Sequence, residues 1–144
     1  MGQALGSIQE PRKVVIVSSS ERPLAGKRGL VVDDEFLIAL DLEALLQDSG
    51  ADVVCEGSPE KAREALDAAG SFDFAIVDLH IGGGIDSGLS VAALLRERGI
   101  PFVFLSGMSN NDPQVTRFNV PLVEKPYRPE VLVRTVAKVL AAGG

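Results

Sequence analysis

The sequence predicts an α/β fold with one parallel β-sheet that is covered by helices on both faces. Two features of the chain from residue 28 onward indicate this class: short apolar runs without in–out alternation, and segments of helical periodicity between them. Strands that are buried on both faces have continuous apolar runs, and a regular strand–helix alternation is typical of parallel sheets. The chain has 144 residues, of which 46% are apolar, so it is long and apolar enough for one domain with a proper core.

Five strands and five helices are predicted in strict alternation. The predicted strands are residues 29–32, 52–55, 72–77, 101–105 and 121–124. The predicted helices are residues 35–48, 59–69, 88–98, 112–118 and 129–141.

The helices are predicted from apolar faces, caps and stop signals. In the first helix one face carries Ile38, Leu42, Leu45 and Leu46, and a glycine follows the end. The second begins with Ser58 as N-cap and Pro59 at the first helical position. The third ends at Gly99, and the fourth, capped by Asp112, is at most short. The inward residues of the fifth are Leu132, Val136, Val139 and Leu140.

Five such units predict a flavodoxin-like (βα)5 doubly wound parallel sheet with strand order 2-1-3-4-5. The predicted domain covers residues 28–144. Residues 1–27 form an N-terminal extension, and its run "KVVIVSSS" at 13–20 has strand-like composition. We leave three interpretations of this extension open: a flexible tail, an extra edge strand, or a dimerisation arm.

Composition excludes several classes of function. The formal net charge is −6 and no basic stripe is present, which argues against nucleic-acid binding. No apolar run is long enough to span a membrane, and no signal-peptide core is visible, so we expect a cytoplasmic protein without membrane contact. The single cysteine, Cys55, excludes an internal disulfide and a cysteine-based metal cluster.

Polar residues follow four of the predicted strands at the ends where chemistry gathers in such sheets. Asp33, Asp34 and Glu35 follow the first strand, Asp78 the third, Ser106 the fourth, and Lys125 the fifth. Two carboxylates about 4 Å apart repel by roughly 4 kcal/mol at an effective dielectric near 20. A divalent cation would relieve this repulsion, and oxygen ligands favour Mg²⁺. Glu35 is expected to be only a solvated first-turn residue.

The same residues suggest phosphoryl chemistry. Mg²⁺ commonly completes its shell with phosphate oxygens, and Lys125 offers a point charge for the same anion. The sequence contains no histidine–serine or cysteine–histidine arrangement that would activate another nucleophile, so Asp78 is the candidate nucleophile. Transfer to its carboxylate would be in line, with developing charge neutralised by the cation and Lys125.

Four segments resemble the marker motifs of response-regulator receiver domains, the CheY-like superfamily. They are "LVVDDE" at 30–35, "AIVDL" at 75–79, "FLSG" at 104–107 and "EKPY" at 124–127, and the resemblance covers about residues 28–141. The run "PFVFLSGM" at 101–108 also resembles the "PFxFATGY" signature of a bacterial subfamily that mostly stands alone.

The resemblance implies a role for each site residue. Asp78 is the phosphoacceptor; Asp33 and Asp34 bind Mg²⁺ together with Asp78 and the backbone carbonyl of His80; Ser106 is the switch hydroxyl, and Lys125 the family's lysine. It also implies a cis Lys125–Pro126 bond. The implied function is a single-domain regulator of a bacterial two-component system or phosphorelay, with a histidine kinase or histidine phosphotransfer protein as donor.

The resemblance implies that the signal leaves through an unidentified output protein, or that the protein is a phosphate shuttle or sink. A monomer or weak dimer is expected, with no enzymatic activity beyond self-phosphorylation and self-dephosphorylation.

The chain departs from the family at three places. Leu105, Ser106 and Met108 replace the signature's Ala, Thr and Tyr; "GGGID" at 82–86 lengthens the loop after Asp78; and Leu122 stands where many receivers have an aromatic switch.

Two alternatives remain open. A haloacid dehalogenase-type phosphatase also uses an aspartate nucleophile with a Ser/Thr and a Lys, but it places the nucleophile on the first strand with a second aspartate two positions later. Here Glu35 and Phe36 occupy the positions two after Asp33 and Asp34. A degenerate receiver that acts as a constitutive interaction module is disfavoured by the complete set of acidic, hydroxyl and lysine residues.

Overall fold

A computed structural model of the chain describes residues 22–68 and 70–143. Residues 1–21, and with them the predicted strand-like run at 13–20, lie outside the described part. The strands are β1 (Arg28–Val32), β2 (Asp52–Glu56), β3 (Phe74–Asp78), β4 (Phe102–Ser106) and β5 (Leu122–Glu124). The helices are α1 (Phe36–Asp48), α2 (Pro59–Asp67), α3 (Asp86–Glu97), α4 (Pro113–Thr116) and α5 (Pro129–Gly143).

The five strands form one parallel sheet with the order β2-β1-β3-β4-β5, as the sequence predicts. The register pairs Val32 of β1 with Val77 of β3, and Asp78 of β3 with Leu105 of β4. Every residue of β3 and β4 is buried. The carboxyl ends of the central strands therefore lie side by side, at the edge where site residues were expected.

Two apolar clusters, one on each face of the sheet, form the core. On one face α1 and α5 pack through residues such as Leu42, Leu46 and Leu132. On the other, α2 and α3 pack with a group of aromatic rings from β4 and the segment after α4. This two-sided covering explains why the strands lack alternation, since both faces of each central strand contact apolar side chains.

Residues 22–27 form a turn that packs against the connection between α1 and β2. Leu24 is fully buried in the α1–α5 cluster, and its backbone N–H donates to the Ser49 carbonyl at 2.9 Å. The core therefore includes a side chain that precedes the first strand.

The boundaries of the elements lie within two residues of the prediction, and two of the differences bear on the site. β3 begins at Phe74 rather than residue 72, because Asp73 turns its carboxylate back to accept the Arg28 backbone N–H at 2.8 Å. α3 begins at Asp86, two residues early, and a Cβ at its Gly88 would lie 2.3 Å from the Leu79 carbonyl oxygen. Glycine at 88 therefore allows α3 to approach the end of β3, next to the predicted site.

Among the described residues, no helix combines the length and apolar character needed to cross a membrane.

Candidate functional site

The predicted site residues do converge at the carboxyl edge of the sheet. Asp33 directly follows β1, Asp78 is the last residue of β3, Ser106 is the last of β4, and Lys125 directly follows β5. Since β1 and β4 are the two neighbours of β3, Asp78 occupies the middle of this edge.

Three carboxylates lie close together in this crevice: those of Asp33, Glu35 and Asp78. One oxygen from each lies within 4.8 Å of the others. Asp33 and Asp78 are each only 4% exposed, whereas the Glu35 side chain is 59% exposed. The cluster thus has two buried members and one at the rim.

Burial makes the ionised form of Asp33 unfavourable. Its Oδ1 accepts the Glu35 backbone N–H at 2.8 Å, but its buried Oδ2 has no hydrogen-bond partner among the described residues. Burial, and secondarily the charge of Asp78, raise the pKa of Asp33 to about 6, against the lowering effects of the Glu35 N–H and of Lys125. An ionised Asp33 is therefore costly without a further cation.

Lys125 is the cation of the crevice. Its Nζ donates to Glu35 Oε1 at 2.9 Å, and it lies 3.8 Å from Asp78 Oδ1 and 3.9 Å from Asp33 Oδ2. Burial lowers the pKa of Lys125, but the hydrogen bond to Glu35 and the charges of Asp78 and Asp33 together outweigh it, so the pKa is raised. The Lys125–Pro126 bond is cis, as predicted.

Glu35 was expected to be merely solvated, and this interpretation missed its contact with Lys125. The chain bends at Asp34, and Asp33 Oδ1 accepts the Glu35 backbone N–H at 2.8 Å, so this turn keeps residue 35 beside Asp33. Glu35 therefore follows Asp33 into the crevice. The signal in the sequence was Asp33 itself, because an aspartate side chain often accepts the backbone N–H two residues later and turns the chain there.

Asp34, in contrast, lies outside the group of three neighbouring carboxylates. It is exposed, and its Oδ2 accepts the Gly82 backbone N–H at 3.2 Å. In this arrangement Asp34 holds the glycine-rich loop between β3 and α3. Its predicted role as a metal ligand stays a prediction.

The backbone of the β3–α3 loop also orients Asp78. The His80 N–H donates to Asp78 Oδ1 at 3.1 Å, and the His80 carbonyl accepts the Gly83 N–H at 2.9 Å. A carbonyl oxygen has two lone pairs, so this bond leaves the predicted contact of His80 with a cation possible.

Ser106 is fully buried, and its hydroxyl is turned toward the β4–α4 loop rather than toward Asp78. The hydroxyl donates to the Met108 carbonyl at 2.7 Å and accepts the Met108 N–H at 3.2 Å. The Ser106 carbonyl accepts the Lys125 N–H at 2.7 Å, which fixes the backbone from which the lysine extends.

Comparison with known proteins identifies the type of domain. A scan against protein-family models gives no match, and no curated protein is a significant match. Among solved structures, the response regulator receiver protein from Sinorhizobium medicae WSM419 is 28% identical with a TM-score of 0.72, over 82% of this chain and 97% of that one. The response regulator receiver protein from Pseudoalteromonas atlantica is 21% identical with a TM-score of 0.70, over 81% and 99%.

The chain contains a CheY-like receiver domain. The strand order, the converging edge residues and the likeness to receiver structures along nearly their full length agree on this point. The finer resemblance to the "PFxFATGY" subfamily stays a prediction.

The acidic crevice of this receiver domain fits a hard divalent cation such as Mg²⁺. The fit rests on the buried Oδ2 of Asp33, which accepts no hydrogen bond from the described residues and belongs to the same group of neighbouring carboxylates as Asp78. Carboxylate and carbonyl oxygens are the ligands that Mg²⁺ prefers. Asp33 and Asp78 would hold the cation, with Asp34 or Glu35 and the His80 carbonyl available at the rim.

Proposed function

We propose that this receiver domain accepts a phosphoryl group on Asp78 from a phosphohistidine of a partner protein. One observation supports this most: Asp78 is buried at the centre of the edge, 3.8 Å from the Lys125 ammonium and close to the buried carboxylate of Asp33. The buried pair of aspartates and the lysine supply what phosphoryl transfer requires, namely a nucleophile and positive charge close to it.

In the proposed step, an Asp78 carboxylate oxygen forms a bond to phosphorus while the bond between phosphorus and the donor imidazole nitrogen breaks. The imidazole keeps the electron pair of that bond and takes up a proton, so the donor leaves as neutral histidine. Mg²⁺ bound beside Asp78 would supply further charge neutralisation for the phosphoryl oxygens.

The chain's own groups position this reaction. The His80 N–H restrains Asp78 Oδ1 at 3.1 Å, and the bond from the Lys125 N–H to the Ser106 carbonyl fixes the base of the lysine. After transfer, the Ser106 hydroxyl would exchange its bonds with Met108 for a bond to a phosphoryl oxygen, because a phosphoaspartate adds three acceptor oxygens. That exchange would change the β4–α4 loop.

The donor would be a histidine kinase or a histidine phosphotransfer protein, and the output would be a contact with a further protein or onward transfer of the phosphoryl group. Met108, 61% exposed in the loop that Ser106 holds, is suited to an output surface. We propose a cytoplasmic monomer or weak dimer that binds neither nucleic acid nor membrane. We expect no turnover beyond self-phosphorylation and self-dephosphorylation.

The test is incubation of the full chain with acetyl phosphate and Mg²⁺, followed by intact-mass measurement. We expect one phosphoryl adduct in the wild type and in Asp52→Asn, which alters an exposed aspartate remote from the crevice. We expect none in Asp78→Asn, and a strongly reduced amount in EDTA. An adduct that persists in Asp78→Asn, or one that forms equally well in EDTA, would contradict the proposal. Catalytic turnover of a phosphomonoester would favour the phosphatase alternative.

A further inference from the structure

We infer that Glu35 is a positioning residue that holds the Lys125 ammonium in the resting protein and has to release it when Asp78 receives a phosphoryl group. The inference rests on the proposed acceptor role of Asp78 and adds to it a residue that competes for the lysine. In this arrangement Glu35 limits how readily the domain is phosphorylated.

The distances around the ammonium carry the first step of the argument. Glu35 Oε1 lies 2.9 Å from Lys125 Nζ, whereas Asp78 Oδ1 and Asp33 Oδ2 lie 3.8 and 3.9 Å away. Only the first distance is that of a hydrogen bond. Within the described residues, the lysine is therefore bonded to the rim carboxylate, while the two buried carboxylates act on it only through charge.

The second step concerns how firmly Glu35 is placed. Its backbone N–H donates to Asp33 Oδ1 at 2.8 Å, and its carbonyl accepts the Ala39 N–H at 2.9 Å at the start of α1. The backbone of Glu35 is thus fixed at both ends, while 59% of its side chain is exposed. The fixed backbone holds the Glu35 carboxylate near the ammonium in the resting protein. Because the side chain is largely exposed, it can turn into solvent when the contact with Lys125 breaks.

The third step is competition. A phosphoryl group arriving at Asp78 requires the lysine's N–H donors, and the Glu35 contact has to break or lengthen to free them. Exposed ion pairs shift equilibria by no more than about fivefold, so we expect the contact to slow adduct formation by about twofold to fivefold. The pair would thus modulate the reaction without blocking it.

The negative charge of Glu35 would also repel an anionic donor. This repulsion has to be separated from the effect of the hydrogen bond between Glu35 and Lys125. Glu35→Asp provides the separation, because it keeps the charge but shortens the side chain by one methylene group and breaks the contact. Glu35→Gln removes the charge. Glu43→Gln is the matched control, since it removes a carboxylate from α1, the helix that Glu35 directly precedes, and among the described residues Lys125 forms ion pairs with Asp33, Glu35 and Asp78 but not with Glu43.

The experiment measures the rate of adduct formation from acetyl phosphate at saturating Mg²⁺ by intact mass. We expect both Glu35→Asp and Glu35→Gln to react about twofold to fivefold faster than wild type. Glu43→Gln should match wild type. In a Lys125→Met background, which slows the reaction, Glu35→Gln should give no further acceleration, because a residue that acts through the lysine has no effect without it.

The outcomes test the acceptor role of Asp78 and the positioning role of Glu35 separately. A wild type that forms no adduct would overturn the acceptor role and this inference together. An adduct on Asp78 with an unchanged rate in Glu35→Asp would overturn only the role of Glu35, as would an acceleration that persists in the Lys125→Met background. The exposed position of residue 35 should leave thermal unfolding midpoints nearly unchanged, and circular dichroism of each variant checks this.

Discussion

Removal of the buried charge of Asp33 should stabilise the metal-free protein near neutral pH. Asp33→Asn keeps the shape of the side chain and an oxygen that can accept the Glu35 N–H. It removes an ionised carboxylate that is 4% exposed and that has one oxygen without a hydrogen-bond partner in the described structure. The change therefore tests whether the crevice is electrostatically costly without a cation.

The magnitude follows from the pKa of Asp33. A rise from 3.8 to about 6 corresponds to roughly 3 kcal/mol at about 1.4 kcal/mol for each pKa unit. The amide of asparagine would leave a buried N–H donor, which costs about 1–3 kcal/mol. We expect a net stabilisation of up to about 2 kcal/mol, which at its upper end corresponds to several degrees in the unfolding midpoint of a domain of this size.

The sign of the pH dependence is fixed by the direction of the shift. Because the folded pKa lies above the unfolded one, the folded state binds more protons between pH 3.8 and about 6. The contribution of Asp33 to stability therefore falls as the pH rises through this window, and the penalty is fully present above about 6. The advantage of Asp33→Asn should shrink as the pH is lowered, and near the unfolded pKa the variant should be less stable than wild type, because only the cost of the buried amide N–H remains.

Urea unfolding in EDTA at several pH values measures the effect, with Asp41→Asn on the exposed side of α1 as the control. The control should stay within about 0.5 kcal/mol of wild type. Added Mg²⁺ should raise the stability of wild type more than that of Asp33→Asn, because the variant lacks a ligand. The reasoning would be refuted if Asp33→Asn were less stable than wild type near pH 7, or if its advantage did not change with pH.

Three further predictions concern the cation, the β4–α4 loop and the packing of α3. Mg²⁺ should raise the thermal unfolding midpoint of the wild type near pH 7, and an unchanged midpoint would exclude a folded-state site of useful affinity. For the β4–α4 loop and α4, which has only one turn, we expect phosphorylation to act as an order–disorder switch across residues 106–119. Amide hydrogen exchange should therefore show weak protection across residues 107–119 at rest and a gain with beryllofluoride, and full protection at rest would contradict the switch. Gly88→Ala should destabilise the fold by about 1–3 kcal/mol in urea unfolding, because its Cβ would meet the Leu79 carbonyl. Gly84→Ala, where a Cβ meets nothing within 4 Å, should differ little from wild type.

Much of the fold and the composition of the site could be predicted from the sequence, because both depend on local patterns. Continuous apolar runs predicted the strands, caps such as Ser58 and stops such as Gly99 predicted helix limits, and strict alternation predicted the strand order. The topology alone then placed Asp78 and Lys125 at one edge, because the carboxyl ends of parallel strands meet there.

Only the tertiary structure decided how these groups pair. Glu35 and Lys125 are 90 positions apart, and no local pattern indicated that the rim carboxylate rather than Asp78 would bond to the ammonium. The same holds for the bond between Asp34 and the Gly82 N–H, and for Asp33 Oδ2, which accepts no hydrogen bond within the described part of the chain. Such contacts depend on tenths of an ångström between side chains that different elements carry, whereas secondary structure and topology depend only on residue types in order along the chain.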